Sequence, residues 1–66
     1  MHVVLNGERR EVPSPLTVAG LLAHLGIDAR VVAVELNRIV VKRARYADTA
    51  VPAGAEIEIV AFVGGG

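Results

Sequence analysis

One short stretch with helical periodicity lies between segments that alternate like β-strands, and this arrangement is what most constrains the fold. The stretch TVAGLLAHLG places apolar residues at positions 18, 21, 22 and 25, which form one stripe along a helix. Thr17 is a good N-cap, and Gly26 suits the left-handed position that ends a helix. A helix of about three turns or fewer is not stable by itself in water. The flanking strands must therefore supply a sheet on which its apolar stripe packs.

The segments around the helix predict five strands. MHVVLNGERREV reads as a β-hairpin because its apolar residues alternate and Asn6-Gly7 accepts the positive φ of a tight turn. VVAVELN and IVVK predict a second hairpin that turns at Asn37-Arg38, and IEIVAFV predicts the last strand. The predicted order is β-β-α-β-β-β. We therefore expect a single α+β domain over residues 1–66, with a mixed sheet of four to five strands packed on one main helix.

Composition narrows the classes of function. The 66 residues contain no cysteine, which excludes a disulfide or a thiolate metal site, and only Tyr46 and Phe62 are aromatic. The formal net charge of zero lacks the electrostatic footprint of nucleic-acid binding. The amino terminus does not resemble a signal peptide, and the uncharged stretch from Val12 to Ile27 contains two prolines and is no membrane span. The expectation is a cytoplasmic protein without nucleic-acid or membrane partners.

Side chains that could carry catalysis are scattered along the chain. His2 and His24 are isolated and have no partner at metal-binding spacing. The hydroxyl residues have no recognisable base in a motif. Glu56 and Glu58 share one face of a strand, where a solvated charged edge is the simpler interpretation. The sequence predicts that the chain is not an enzyme, binds no metal and holds no cofactor of its own.

The last predicted strand has two different faces. One face is apolar and is assigned to the core: Ile57, Ile59, Ala61 and Val63. The opposite face begins with Glu58 and becomes apolar at Val60 and Phe62. If the first strand lies beside the last, Val4 joins them on the open side of the sheet. An exposed apolar patch often marks a partner surface, although single exposed apolar residues are also common.

Three glycines, at positions 64–66, follow this strand directly. Without Cβ atoms, such a tail fits a narrow channel, and three extended residues reach about 10 Å. The carboxylate of Gly66 is a poor electrophile that needs activation, most simply by ATP to an acyl-adenylate. A sulfur nucleophile from outside the chain could then convert it to a thiocarboxylate. Taken alone, three terminal glycines are more typical of a frayed end than of a functional site.

The whole chain resembles the ThiS family of ubiquitin-like sulfur carriers, which act in thiazole (thiamine) biosynthesis. The resemblance is carried by MHVVLNGE, TVAGLLAHLGI, VVAVELNRIVVKRARYADTAV and PAGAEIEIVAFVGGG. It implies a β-grasp fold with a flexible tail over residues 63–66. It also implies that Gly66 is adenylated by an E1-like enzyme (ThiF-like) that uses ATP and Mg²⁺. A persulfide donor then gives the thiocarboxylate, which passes sulfur to thiazole synthase (ThiG-like). The residues implied to contact partners are Gly64, Gly65, Val63, Phe62, Val60 and Val4.

Several alternatives remain open at the level of sequence. The nearest is a MoaD-like small subunit of molybdopterin synthase, which uses the same tail chemistry. Carriers for cysteine synthesis or tRNA thiolation are similar in kind, and a modifier joined to lysines would share the activation of the tail. A non-catalytic β-grasp binding module, in which the glycines have no role, belongs to a different class.

Overall fold

The computed structural model describes residues 1–62, which form a five-stranded mixed sheet with one α-helix. The elements are β1 (His2–Leu5), β2 (Glu8–Glu11), α1 (Val18–Leu25), β3 (Val32–Leu36), β4 (Ile39–Val41) and β5 (Glu56–Ala61). Two 3₁₀-helices, Ala29–Val31 and Arg43–Asp48, lie in the connections. The order of strands and helix confirms the α+β, β-grasp architecture predicted from the sequence.

The strand order in the sheet is β2-β1-β5-β3-β4. β1 and β2 form one antiparallel hairpin, and β3 and β4 form another. β5 lies between the two hairpins, parallel to β1 and antiparallel to β3. The last strand described is therefore in the middle of the sheet.

The helix begins and ends where local chemistry predicts. The side chain of Thr17 accepts a hydrogen bond from the backbone amide of Gly20 at 3.0 Å, which satisfies one of the free amides of the first turn. Gly26 has φ 72° in the left-handed region. Its amide donates to the carbonyl of Ala23 at 3.1 Å, and the amide of Ile27 donates to that of Leu22 at 2.9 Å. This pair of bonds is the Schellman motif, in which glycine is favoured because it has no Cβ.

The core lies between α1 and one face of the sheet. Its most completely buried side chains come from both layers: Leu21, Leu22, Ile57, Val3, Val18 and Val34. The predicted core face of β5 is confirmed at Ile57 and is half-buried at Ile59. At Ala61 the assignment was wrong, because this residue is exposed and borders an open groove with Ile27 and Asp28.

Val63 and residues 64–66, which were predicted to form a flexible tail, lie outside the described residues. In residues 1–62, no helix reaches the length and hydropathy that crossing a bilayer requires.

Candidate functional site

The site begins with the face of β5 that points away from α1. Val60 is 60% exposed and Phe62 is 61% exposed, although both are large apolar side chains. The amide of Phe62 donates to the carbonyl of Val31 at 2.8 Å, so the backbone is still held at this position. The prediction that this face becomes apolar and open towards the end of the strand is confirmed.

The pairing of β5 with β3 adds one residue to this surface. Ala33 lies directly opposite Val60 and is also exposed. Opposite residues in neighbouring strands point to the same face of the sheet. Ala33, Val60 and Phe62 thus form an apolar surface, the open-face patch, immediately before the glycines of the sequence.

Val4 shares this face but does not join the open-face patch. β1 does lie beside β5, and Val4 is half-buried and paired with Glu56. Val60 is four residues further along β5, a distance of about 13 Å at the usual rise of a strand. The expected grouping of Val4 with Val60 and Phe62 therefore needs correction, since the register of β1 on β5 keeps them apart.

Carboxylates border the open-face patch along the sheet. Glu58 lies directly opposite Glu35 in the register of β5 with β3, and Glu56 is two residues away on the same face. All three side chains are exposed. The sequence indicated that Glu56 and Glu58 share a face, but it gave no sign of Glu35, because cross-strand partners follow from register alone. The candidate surface is thus apolar at the end of β5 and acidic beside it.

Two asparagines in the hairpin turns hold β5 by hydrogen bonds that sequence reasoning missed. Asn6, in the β1–β2 turn, donates through Nδ2 to the carbonyl of Ile59 at 3.2 Å and accepts from the amide of Ile59 at 2.8 Å. Asn37, in the β3–β4 turn, accepts through Oδ1 from the amide of Glu56 at 2.9 Å. Both were expected only as turn residues. The signal that could have found them is the repeated Leu-Asn before each turn.

In the part of the chain that the structure describes, the core is built from apolar residues and Tyr46, and the charged side chains lie outside it. Over residues 1–62, no group of three His, Asp or Glu residues is placed to hold a metal ion. Hydrogen bonds from the side chain and the backbone of Arg30 lower the pKa of the Asp28 carboxyl to about 2. Asp28 is the N-cap of the 3₁₀-helix Ala29–Val31, so this exposed pair has a structural role.

The remaining predicted site residues are Val63, Gly64, Gly65 and Gly66, all of them outside the described residues. The described part shows the strand that leads to them and the surface beside it. This arrangement is suited to recognition by another protein. The fold and the surface together define a class: a small β-grasp protein with ubiquitin-like topology that presents an open sheet face at the end of its last strand.

Comparisons with known proteins give the family within this class. Residues 3–66 match the ThiS family. A crystal structure of the thiamine biosynthesis protein ThiS from Geobacter metallireducens superposes with a TM-score of 0.86 at 36% identity, covering the whole of both chains. A solution structure of a thiamine biosynthesis protein from the same organism gives a TM-score of 0.84 at 36% identity over 100% of this chain and 88% of that one.

Two longer relatives are also similar. A thiazole synthase from Paramagnetospirillum magneticum is 50% identical over all 66 residues, and one from Magnetococcus marinus is 41% identical over the same length. The chain spans 20% of the length of each of these curated relatives. This chain belongs to the ThiS family, as its resemblance to these sulfur carriers indicated. Family membership also agrees with the expectation that it is a carrier protein rather than a catalyst.

Proposed function

We propose that this chain carries sulfur as a thiocarboxylate on Gly66 and donates it for thiazole formation in thiamine biosynthesis, in the cytoplasm. One observation supports this proposal most strongly: the match to the ThiS family includes both the described surface and the glycines that follow it. The ThiS match runs to residue 66, and the described strand that leads to these glycines ends in the open-face patch. A carrier needs both parts, a surface for docking and an end that reaches into a partner's active site.

The chemistry begins with activation of the carboxylate. A carboxylate oxygen of Gly66 attacks the α-phosphorus of ATP, pyrophosphate leaves, and a mixed anhydride with AMP forms. The Mg²⁺ and the ATP belong to an E1-like activating enzyme (ThiF-like). Glycine suits this step because the absence of Cβ atoms lets Gly65 and Gly66 enter a narrow channel.

The second step adds sulfur at the same carbon. A persulfide donor attacks the carbonyl carbon of Gly66 and AMP leaves, which gives an acyl disulfide. A thiol then reduces the S–S bond and releases the thiocarboxylate. The chain contains no cysteine, so both the sulfur and the reducing thiol come from partners.

The described surface contributes by docking. Val60 and Phe62 together offer apolar area at the end of β5, and the exposed Val40, opposite Glu35, lies on the same face of the sheet. The carboxylates of Glu35, Glu56 and Glu58 favour a partner surface that is apolar opposite the patch and basic beside it. Docking through this face brings the residues after Phe62 to the partner.

The proposed acceptor of the sulfur is a thiazole synthase (ThiG-like). The curated relatives that match this chain are named thiazole synthase and are about five times longer, as its 20% share of each implies. In those proteins, the matching segment is part of the same polypeptide. A covalent connection raises the effective concentration of two interacting modules, and this supports pairing of the carrier with the synthase.

Intact-mass spectrometry tests the proposal. The protein is incubated with a ThiF-like enzyme, ATP, Mg²⁺ and a persulfide source. We expect a species heavier by the difference between one sulfur and one oxygen atom, mapped to Gly66. Thiazole synthase should consume this species, whereas consumption by molybdopterin synthase alone would favour a MoaD-like role.

Two tail variants provide the controls. Removal of Gly65 and Gly66 should abolish the mass shift while the free energy of unfolding stays unchanged, because the variant keeps every core residue of the described part of the chain. Gly66→Ala keeps the length and the carboxylate and should slow activation, because it adds a Cβ at the reacting residue. An unchanged mass with an enzyme that activates its own carrier would favour a binding module. Isopeptide conjugates in cell extracts would favour a protein modifier.

A further inference from the structure

We infer that Asn6 is a positioning residue for the end of β5: its side chain fixes the part of the strand that precedes the docking residues Val60 and Phe62. The inference rests on the proposed carrier function and concerns the described residues before the tail. The neighbours that support β5 differ along the length of the strand.

At its start, β5 is paired on both sides. Ile57 lies opposite Leu5 of β1 on one side and Leu36 of β3 on the other. β1 then turns away at Asn6, which has φ 49°, a value that asparagine tolerates better than most residues. In the described part of the chain, backbone pairing of β1 with β5 goes no further than Leu5 and Ile57.

The side chain of Asn6 takes the next place in the ladder. Its amide group presents an N–H donor and a carbonyl acceptor on the same side, as the N–H and C=O of a single strand residue do, and both are bonded to Ile59, at 3.2 and 2.8 Å. The backbone amide of Asn6 also donates to the carbonyl of Ile57 at 2.8 Å. The side chain of Asn6 thus continues the hydrogen bonding between β1 and β5 to Ile59, beyond the last backbone pair.

Beyond Ile59, support of β5 within residues 1–62 comes from β3 and the segment before it. Val60 and Ala61 are paired with Ala33 and Val32, and the amide of Phe62 bonds to the carbonyl of Val31. On the β1 side there is an open groove bordered by Asn6, Ile27 and Ala61. Asn6 is therefore the last contact on that side before Val60 and Phe62.

Asn37 supplies a matched control within the same molecule. It has φ 50° in a hairpin turn and also bonds β5, with one side-chain bond where Asn6 has two. Its backbone amide donates to the carbonyl of Glu56 at 2.7 Å, and its Oδ1 accepts from the amide of Glu56 at 2.9 Å. The two asparagines differ in position. Asn37 holds the start of the strand, and Asn6 holds the part nearest the tail.

The test compares Asn6→Gly with Asn37→Gly in the full chain. Glycine accepts positive φ, so each variant keeps its turn and loses only the side-chain bonds. Amide hydrogen exchange is measured by NMR. In Asn6→Gly, the amides of Ile59, Val60 and Phe62 should exchange about three- to tenfold faster, the effect of losing hydrogen bonds of ordinary strength. In Asn37→Gly, faster exchange should be confined to the region of Glu56.

Activation kinetics give the second readout. Pyrophosphate release by a ThiF-like enzyme is measured against carrier concentration. In Asn6→Gly, KM should rise about three- to tenfold with kcat unchanged, because the docking end of β5 is less often in place. Asn37→Gly should keep both constants. Asn6→Asp retains the acceptor for the amide of Ile59 but places a second acceptor oxygen against the carbonyl of Ile59, 3.2 Å from Nδ2 in the wild type. It should therefore also raise KM, which keeps the test usable if the glycine variant folds poorly.

Two results would overturn the inference: equal effects of the two glycine variants, or unchanged exchange at Val60 and Phe62 in Asn6→Gly. If the wild-type protein is not activated at all, the carrier function fails. The exchange measurement still decides whether Asn6 holds this end of β5.

Discussion

The two faces of β5 alternate along one strand, yet they contact entirely different surroundings. Ile57 is 1% exposed and packs in the core beneath α1, whereas Val60 and Phe62 on the opposite face are 60% and 61% exposed. The apolar residues on the first face are explained by folding, because burial contributes about 25 cal/mol per Å² of apolar surface. Those on the second face gain little from folding. The difference separates stability from recognition within a single strand.

Among the substitutions that test this comparison, Ile57→Ala should give the largest change, a fall in the free energy of unfolding. Ile57→Ala removes buried methyl groups and leaves a cavity, so we expect the free energy of unfolding to fall by about 2–5 kcal/mol. Urea unfolding followed by circular dichroism measures it. Ile57→Val should cost about 0.5–1.5 kcal/mol. A loss for Ile57→Ala as small as that for Val60→Ala would erase the distinction between the two faces.

Substitution of Phe62 should change binding while stability is kept. Phe62→Ala should weaken binding to a ThiF-like enzyme by about 1–3 kcal/mol, the range for an aromatic residue near the centre of an interface. The free energy of unfolding should change by about 0.5 kcal/mol or less. Isothermal titration calorimetry and urea unfolding measure the two quantities.

A control for Phe62 comes from the opposite side of the sheet. Ile39 is 71% exposed and its register places it on the α1 side. Ile39→Ala removes a comparable exposed apolar side chain and should leave binding unchanged. Equal losses at the two positions would mean that exposed apolar area in general, rather than the open-face patch, determines binding.

Substitution of Glu58 should give the smallest change in the free energy of unfolding, and this change should be an increase. Glu58 lies directly opposite Glu35, and like charges in opposite positions destabilise a sheet. Glu58→Gln should therefore raise the free energy of unfolding at neutral pH by about 0.2–0.5 kcal/mol and weaken binding to a basic partner surface. Thermal unfolding at low and high salt provides the measurement. The gain should shrink at high salt, since screening weakens interactions between exposed charges. A loss of stability at low salt would contradict the prediction.

The sequence predicted the features that depend on local periodicity. Strand residues alternate between faces with a period of two, so the exposure of Val60 and Phe62 followed from the pattern of IEIVAFV. The helix ends were also predictable, because Thr17 and Gly26 satisfy or adopt local backbone geometry.

Features that depend on the register between distant segments were not predictable. Val4 was expected beside Val60, but its register with Glu56 places it elsewhere along β5. The opposition of Glu35 and Glu58 depends on the same kind of information. The hydrogen bonds from Asn6 to Ile59 join residues 53 positions apart. No periodicity within one segment reports where another strand begins to pair with it.

The central position of β5 has a consequence for how the protein is made. β5 is the last described strand in the chain, and it lies between two hairpins that are each formed from adjacent residues. Hairpins form quickly from local contacts, but these two cannot become one sheet until β5 is available to pair with both. During synthesis on the ribosome, assembly of the sheet therefore waits until residues 56–61 have emerged. A molecule that has acquired its folded body necessarily contains the strand that leads to the glycines.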